Sequence, residues 1–142
     1  MGKKRIVKKG GDEGAKGVAP SARSSKRKLD VGILFVEATY NNTKVCLADD
    51  KGNVVTWSSA GSLGFAGAKK GTPFAAAKVG ELIGDRAVGM GVKSVAVEVC
   101  GVGVGRESSI RAFSTKGIHI NAIKDTTPVP HNGPRPRKAR RV

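Results

Sequence analysis

Acidic residues are scarce in this chain: 11 Asp and Glu stand against 26 Lys and Arg in 142 residues, a formal net charge of +15. Self-repulsion of that size destabilises a compact state, so the surplus speaks for a polyanionic partner rather than for the fold. Aromatic residues are few, comprising Trp57, Tyr40 and four Phe. No stretch approaches the ~18 uncharged apolar residues of a membrane span. The opening Met1-Gly2-Lys3-Lys4-Arg5-Ile6 has neither the apolar run nor the cleavage site of a secretory signal. Ile6 also stands where a myristoylation motif needs Ser or Thr, so lipidation at Gly2 is not expected. The two cysteines, Cys46 and Cys100, lie inside apolar runs and not at metal-ligand spacing. A disulfide scaffold and a zinc module are thereby excluded, and both thiols read as reduced core residues in a cytosol-like compartment.

The cations that are present are unevenly placed. Residues 1–28 carry a net +8, residues 29–125 only +2, and residues 126–142 a net +5 with no acid. The first segment is rich in Gly, Ser and Lys, with Ile6, Val7 and Val18 as its bulky apolar residues. It has too little apolar surface to form a core and is expected to be a disordered arm when free. The last segment holds Pro128, Pro130, Pro134 and Pro136. Proline fixes φ and lacks a donor, so this tail is expected to be extended and stiff. Basic extended tails bind nucleic acid; a solvated tail and an anionic membrane patch are the alternatives. Neither tail has the apolar aromatic face of an interfacial helix, which disfavours the membrane.

The middle segment, 29–125, has the length of one domain with a real core. Gly32 to Thr39 is rich in β-formers and closes at Asn41-Asn42, a turn pair that tolerates left-handed backbone. Thr43–Ala48 and Val54–Ser58, separated by Asp49-Asp50-Lys51-Gly52-Asn53, complete an antiparallel meander. Ser59 to Gly71 contains four glycines and no periodicity. Thr72-Pro73 is a helix start, hydroxyl at the N-cap and proline at the first helical position. Ala75, Val79, Leu82, Ile83 and Met90 recur at helical spacing, while Gly80, Gly84 and Gly89 weaken the helix or permit close packing on a sheet. Ser94–Cys100 is a strand with Val95, Val97 and Val99 on one face. Arg106 to Lys116 reads as a helix ended by Gly117, and Ile118–Lys124 as a last strand with Ile118, Ile120 and Ala122 on one face. Two strand–helix–strand passages after a meander predict a single α/β domain, a mixed sheet of about five strands with two main helices.

Several constellations invite chemistry. The loop Gly101-Val102-Gly103-Val104-Gly105 follows a strand and precedes a helix, which suits a phosphate on free backbone N–H groups. The dinucleotide spacing fails, because Arg106 or Ser108 falls where the third glycine belongs. The loop with Arg106, Ser108 and Ser109 is then either a backbone-phosphate site or a tight strand-to-helix turn. Lys69-Lys70 before the capped helix at Thr72 repeats that logic, its alternative being a solvated pair. Catalysis finds little support. His119 alternates with Ile118 and Ile120 on a strand, and His131 sits in the proline-rich tail. A divalent-dependent nuclease would have to draw on Glu37, Asp49, Asp50 and Glu98, whose spacing outward strand positions and turns also produce. A small nucleotide-binding protein relying on Gly103 is a third class. The stretch His131-Asn132-Gly133-Pro134-Arg135-Pro136-Arg137-Lys138-Ala139-Arg140-Arg141 combines guanidinium forks for phosphate and stacking with prolines that limit the entropy lost on ordering.

Taken in order, Tyr40-Asn41-Asn42-Thr43, Asp50-Lys51-Gly52-Asn53, Thr72-Pro73-Phe74-Ala75-Ala76, Gly105-Arg106-Glu107-Ser108 and Asp125-Thr126-Thr127-Pro128-Val129-Pro130-His131-Asn132-Gly133, followed by the Arg-rich run, form a recognisable string. From about Asp30 to Val142 it resembles the S11 family of small-subunit ribosomal proteins, in its bacterial or organellar form. The resemblance implies a ribonuclease-H-like α/β fold that is not an enzyme and uses no cofactor or metal. It implies a ribosome-bound protein of the cytoplasm or an organelle, not a homo-oligomer and not membrane-bound. The implied partners are small-subunit ribosomal RNA on the platform, with messenger RNA nearby and the proteins S7 and S18 as neighbours. Carried onto this chain, the RNA contacts fall on Asn41, Asn42, Lys69, Lys70, Arg106 and Ser108, and along the tail on His131, Asn132, Arg135, Arg137, Lys138, Arg140 and Arg141. Valines stand in the glycine loop where the family usually has prolines or small residues, and Pro134 and Arg137 depart from its usual Cys and Pro. The lysine-rich N-terminus lies outside the resemblance.

Overall fold

The computed structural model describes residues 28–141; the expected disordered arm, but for Lys28, lies outside the described residues. Strands β1 (Val31–Ala38), β2 (Thr43–Ala48) and β3 (Val54–Ser59) form the antiparallel meander. Helix α1 (Pro73–Met90) then crosses to β4 (Ser94–Cys100), and α2 (Gly105–Ser114) crosses to β5 (His119–Asp125). The spatial order is β3-β2-β1-β4-β5, with β1, β4 and β5 mutually parallel. This is the mixed five-stranded sheet with two helices that the sequence predicts.

The core is made by alternation. Leu34 and Val36 of β1, Val45 and Leu47 of β2, and Val95, Val97 and Val99 of β4 point to one face. There they meet Ala75, Val79, Ile83 and Ala87 of α1 and Phe113 of α2. Full burial of each such Leu, Ile, Val or Phe contributes roughly 1.5–3 kcal/mol against an exposed reference. The opposite face, with Phe35, Cys46, Ala96 and Glu98, stays half-buried. Helix α1 starts as its sequence dictates. Thr72 is extended (φ −82°, ψ 151°), its hydroxyl accepts from the Ala75 N–H at 3.3 Å, and Pro73 fills the first helical position. It stops at Gly91, whose φ of +83° is the left-handed cap that glycine takes without penalty.

The aperiodic stretch Ser59–Gly71 holds two short 3-10 turns, Gly61–Leu63 and Gly67–Gly71. Three expectations are corrected. Gly80 and Gly84 pack against α2 rather than the sheet. A Cβ at Gly80 would strike the Ser109 carbonyl oxygen, and one at Gly84 would lie 2.7 Å from Lys116 Cγ. Helix α2 spans Gly105–Ser114, two residues shorter at its end, because Thr115 to Lys116 tighten into the turn that leads to Gly117 at φ +84°. Finally, Ile118, Ile120 and Ala122 do not share a face. The register jumps from Val95↔Ile120 to Ala96↔Ala122, so the bulge at Asn121 turns Ala122 to the open face and Ile123 to the face of Val97.

Candidate nucleic-acid interface

Parallel strands deliver their carboxyl ends to one side of a sheet, and here that side collects nearly every segment singled out above. Beyond the ends of β1, β4 and β5 lie the Tyr40-Asn41-Asn42 turn, the glycine loop 101–105 and the origin of the tail. The Lys69–Thr72 segment joins them, because Gly71 abuts the backbone of Tyr40 and Asn41. The amino ends of α1 and α2 meet there too, since a Cβ at Gly105 would lie 2.8 Å from Ala76 Cβ and collide with Thr43 Oγ1.

The glycines explain how these segments come so close. The backbone carbonyls of Ala38, Thr39 and Tyr40 each face a glycine: Gly101, Gly103 and Gly71 respectively. Any Cβ at those three positions would overlap the carbonyl oxygen opposite. The Gly103 N–H donates to the Ala38 carbonyl at 2.8 Å, and Gly101 adopts φ +98°. Of the two readings of the loop, tight packing is the one its contacts display: Gly101 and Gly103 lie against β1 carbonyls, which repel phosphate.

Arg106 is engaged as well. Its guanidinium donates to the Gly101 carbonyl, to Thr127 Oγ1 at 3.2 Å and to the Asp125 carboxylate. Thr127 donates its hydroxyl to Asp125 at 2.6 Å and its N–H to the same carboxylate at 2.9 Å. The Thr127 hydroxyl first, then Arg106 and the Thr127 N–H, hold the Asp125 carboxyl well below the usual carboxylate range. The Gly101 N–H donates to Thr127 Oγ1 at 3.2 Å, and the Thr126 N–H to the Val99 carbonyl at 2.8 Å. Arg106 is therefore a clasp at the root of the tail.

The other candidates sort by exposure. Asn41 is exposed. Asn42 is half-buried, its N–H donates to Thr39 Oγ1 at 3.1 Å, and its Oδ1 is buried without a partner. Lys69 is exposed, whereas Lys70 is half-buried with its stem beside Gly61. Ser108 lines the groove between α1 and α2 with Phe74 and Glu107, apart from the glycine loop. His131, Asn132, Arg135, Arg137, Lys138, Arg140 and Arg141 are all exposed along an extended tail, and Asn132 takes φ +56° in the turn with Gly133. Sequence reasoning missed Tyr40, which is 79% exposed at the tip of the turn. An aromatic beside two turn-forming asparagines was the available signal. It also missed Asp125 and Thr127, whose role depends on a residue 19 or more positions away.

For the nuclease alternative, Glu37 and Glu98 are diagonal neighbours on the open face, Glu37 opposite Cys100 and Glu98 opposite Phe35. Among the described residues no group of three or more His, Cys, Asp or Glu gathers where it could hold a metal ion. None of their helices is long and apolar enough to cross a membrane.

Fold and site together define a class: a structural α/β protein that gathers its turns, helix starts and basic tail at one end of a mixed sheet. Residues 32–141 match the family model for ribosomal protein S11, and the chain belongs to that family of structural, non-enzymatic components of the small ribosomal subunit. It is 52% identical over 120 residues to the small ribosomal subunit protein uS11 of Solibacter usitatus, covering 84% of this chain and 89% of that one. The proteins of the same name from Rippkaea orientalis and Synechococcus elongatus are each 50% identical over 120 residues, covering 84% of this chain and 92% of theirs.

Proposed function

We propose that the chain binds small-subunit ribosomal RNA on the platform, bridging RNA helices and helping to form the cleft where messenger RNA pairs with the RNA 3′ end. The observation that carries this reading is the convergence of the Asn41-Asn42 turn, Lys69-Lys70 and the root of the basic tail at one end of the sheet. Phosphates are met by Lys69, Lys70 and the Arg/Lys of the tail, and unpaired bases by Asn41, His131 and Asn132, whose amides and ring present both donors and acceptors, with Asn42, its Oδ1 buried, bracing the turn behind Asn41. Arg106 contributes by anchoring the tail, and Ser108 by its place at the amino end of α2. S7 and S18 are the protein neighbours in this reading, and the cytoplasm its compartment.

The test is a titration of the full chain against fluorescently labelled small-subunit ribosomal RNA at several salt concentrations. Neutralising about 6–10 phosphates predicts an affinity loss on the order of 10³–10⁵-fold between 50 and 200 mM salt, on the duplex-calibrated scale. Binding that is flat in salt overturns the proposal.

A further inference from the structure

Tyr40 is the chain's only tyrosine, and one of six aromatics in 142 residues. Phe113 is fully buried, and Phe65 and Phe74 pack edge to face with ring centres 6.1 Å apart. Tyr40 stands 79% exposed, more than any other large apolar or aromatic side chain described. An isolated exposed ring on a loose loop would mean little. This one stands on backbone held by close contacts on two sides.

Thr39 and Asn42 close the turn with three hydrogen bonds. The Thr39 N–H donates to the Asn42 carbonyl at 2.9 Å, the Thr39 hydroxyl donates to the same carbonyl at 3.1 Å, and the Asn42 N–H donates to the Thr39 hydroxyl at 3.1 Å. On either side, Gly103 presses on the Thr39 carbonyl and Gly71 on that of Tyr40 itself. The backbone of Tyr40 is thus clamped from two sequence-distant segments while its ring projects outward. An exposed π-face on clamped backbone, beside exposed Asn41 and the Lys69-Lys70 pair, is an arrangement that can stack an unpaired base.

We propose that Tyr40 is a base-stacking residue: its ring receives one unpaired nucleobase of the bound RNA, and the glycine clamp fixes the backbone that carries the ring. The inference rests on the RNA-binding reading above and adds a ligand class to it, a splayed single-stranded base rather than a duplex phosphate. The ring carries no charge, so its contribution is independent of salt, unlike that of the lysines beside it.

The experiment compares wild type, Tyr40→Ala, Tyr40→Leu, Tyr40→Phe and the double variant Lys69→Ala/Lys70→Ala, each as full chain, against labelled small-subunit ribosomal RNA at several salt concentrations. Loss of stacking predicts weakening by about 5- to 100-fold for both Tyr40→Ala and Tyr40→Leu, near-wild-type binding for Tyr40→Phe, and an unchanged salt slope in all three. The lysine double variant should lower the slope instead. Irradiation of the wild-type complex at short ultraviolet wavelengths should give a nucleotide adduct on the Tyr40 peptide. Equal affinity of wild type and Tyr40→Ala, or a Tyr40→Leu that binds like wild type, overturns the inference while leaving the RNA-binding reading in place. If wild type itself fails to bind the RNA, that reading falls first. If Tyr40→Ala binds naked RNA normally but is lost from reconstituted particles, the ring meets a protein and the stacking role is overturned.

Discussion

The Arg106 guanidinium, at the start of α2, bonds the Asp125 carboxylate at the end of β5 and the Gly101 carbonyl, tying the last strand, the glycine loop and the tail into one joint. In sequence, Arg106 is one more cation after a glycine run. In space it is an internal ligand that holds the root of the tail against the glycine loop.

The Asp125 carboxyl should titrate well below the ~3.9 of an unperturbed Asp, chiefly through its bonds from Thr127 and then from Arg106. A group whose pKa is depressed on folding stabilises the fold fully above its unfolded value, and that contribution is lost as pH falls below about 4. Carboxyl carbon NMR should therefore show Asp125 still ionised where the same residue in an unfolded tail peptide is protonated. Thr127→Val should move it back toward the peptide. A titration midpoint equal to that of the peptide contradicts the clasp.

Two glycines of α1 should respond to alanine with opposite sign. Both gain helix propensity, worth about 0.5–1 kcal/mol. Gly89 has nothing within 4 Å of the added Cβ, so Gly89→Ala should keep that gain. Gly80 faces the Ser109 carbonyl, so Gly80→Ala must push α2 away and should cost roughly 1–3 kcal/mol. Urea midpoints measure both, and equal shifts would mean the two helices are not in close contact at Gly80.

Where the tail is cut should matter more than how much is removed. Thr126 and Thr127 are bonded to Val99, Gly101, Arg106 and Asp125, whereas the residues beyond them are nearly all exposed. Removing 129–142 should leave the melting temperature unchanged and weaken RNA binding. Removing 126–142 should in addition lower it by roughly 5 °C, the effect of ~1 kcal/mol in a body of this size. Thermal melts of the two truncations, with RNA titrations, decide this.

Asn132-Gly133 is a candidate for deamidation, because glycine leaves the Asn132 side-chain carbonyl open to attack by the next backbone nitrogen. The turn is exposed and Asn132 sits at φ +56°. Ageing at mildly alkaline pH should produce a species heavier by about 1 Da, mapped to Asn132 and suppressed by Gly133→Ala. Peptide mapping that finds no such product excludes it.

Much of this molecule follows from neighbours in the chain. The alternation of Val95, Val97 and Val99, the Thr72-Pro73 helix start, and the turns at Asn41-Asn42 and Asp49–Asn53 all rest on interactions within a few residues, where side-chain period, capping and turn chemistry act directly. Family membership was legible for the same reason, being carried by short contiguous strings. What only the tertiary structure decided depends on segments far apart in sequence. A glycine that packs on β1 looks like one that cradles a phosphate, and an arginine that clasps Asp125 looks like one that waits for RNA. Gly80 and Gly84 serve α2 and not the sheet, and the bulge at Asn121 reverses the faces of β5. The backbone under Tyr40 is clamped only because Gly71 and Gly103 arrive from elsewhere. Local physics sets which elements form, whereas close approach of distant backbone sets what their side chains are left free to do.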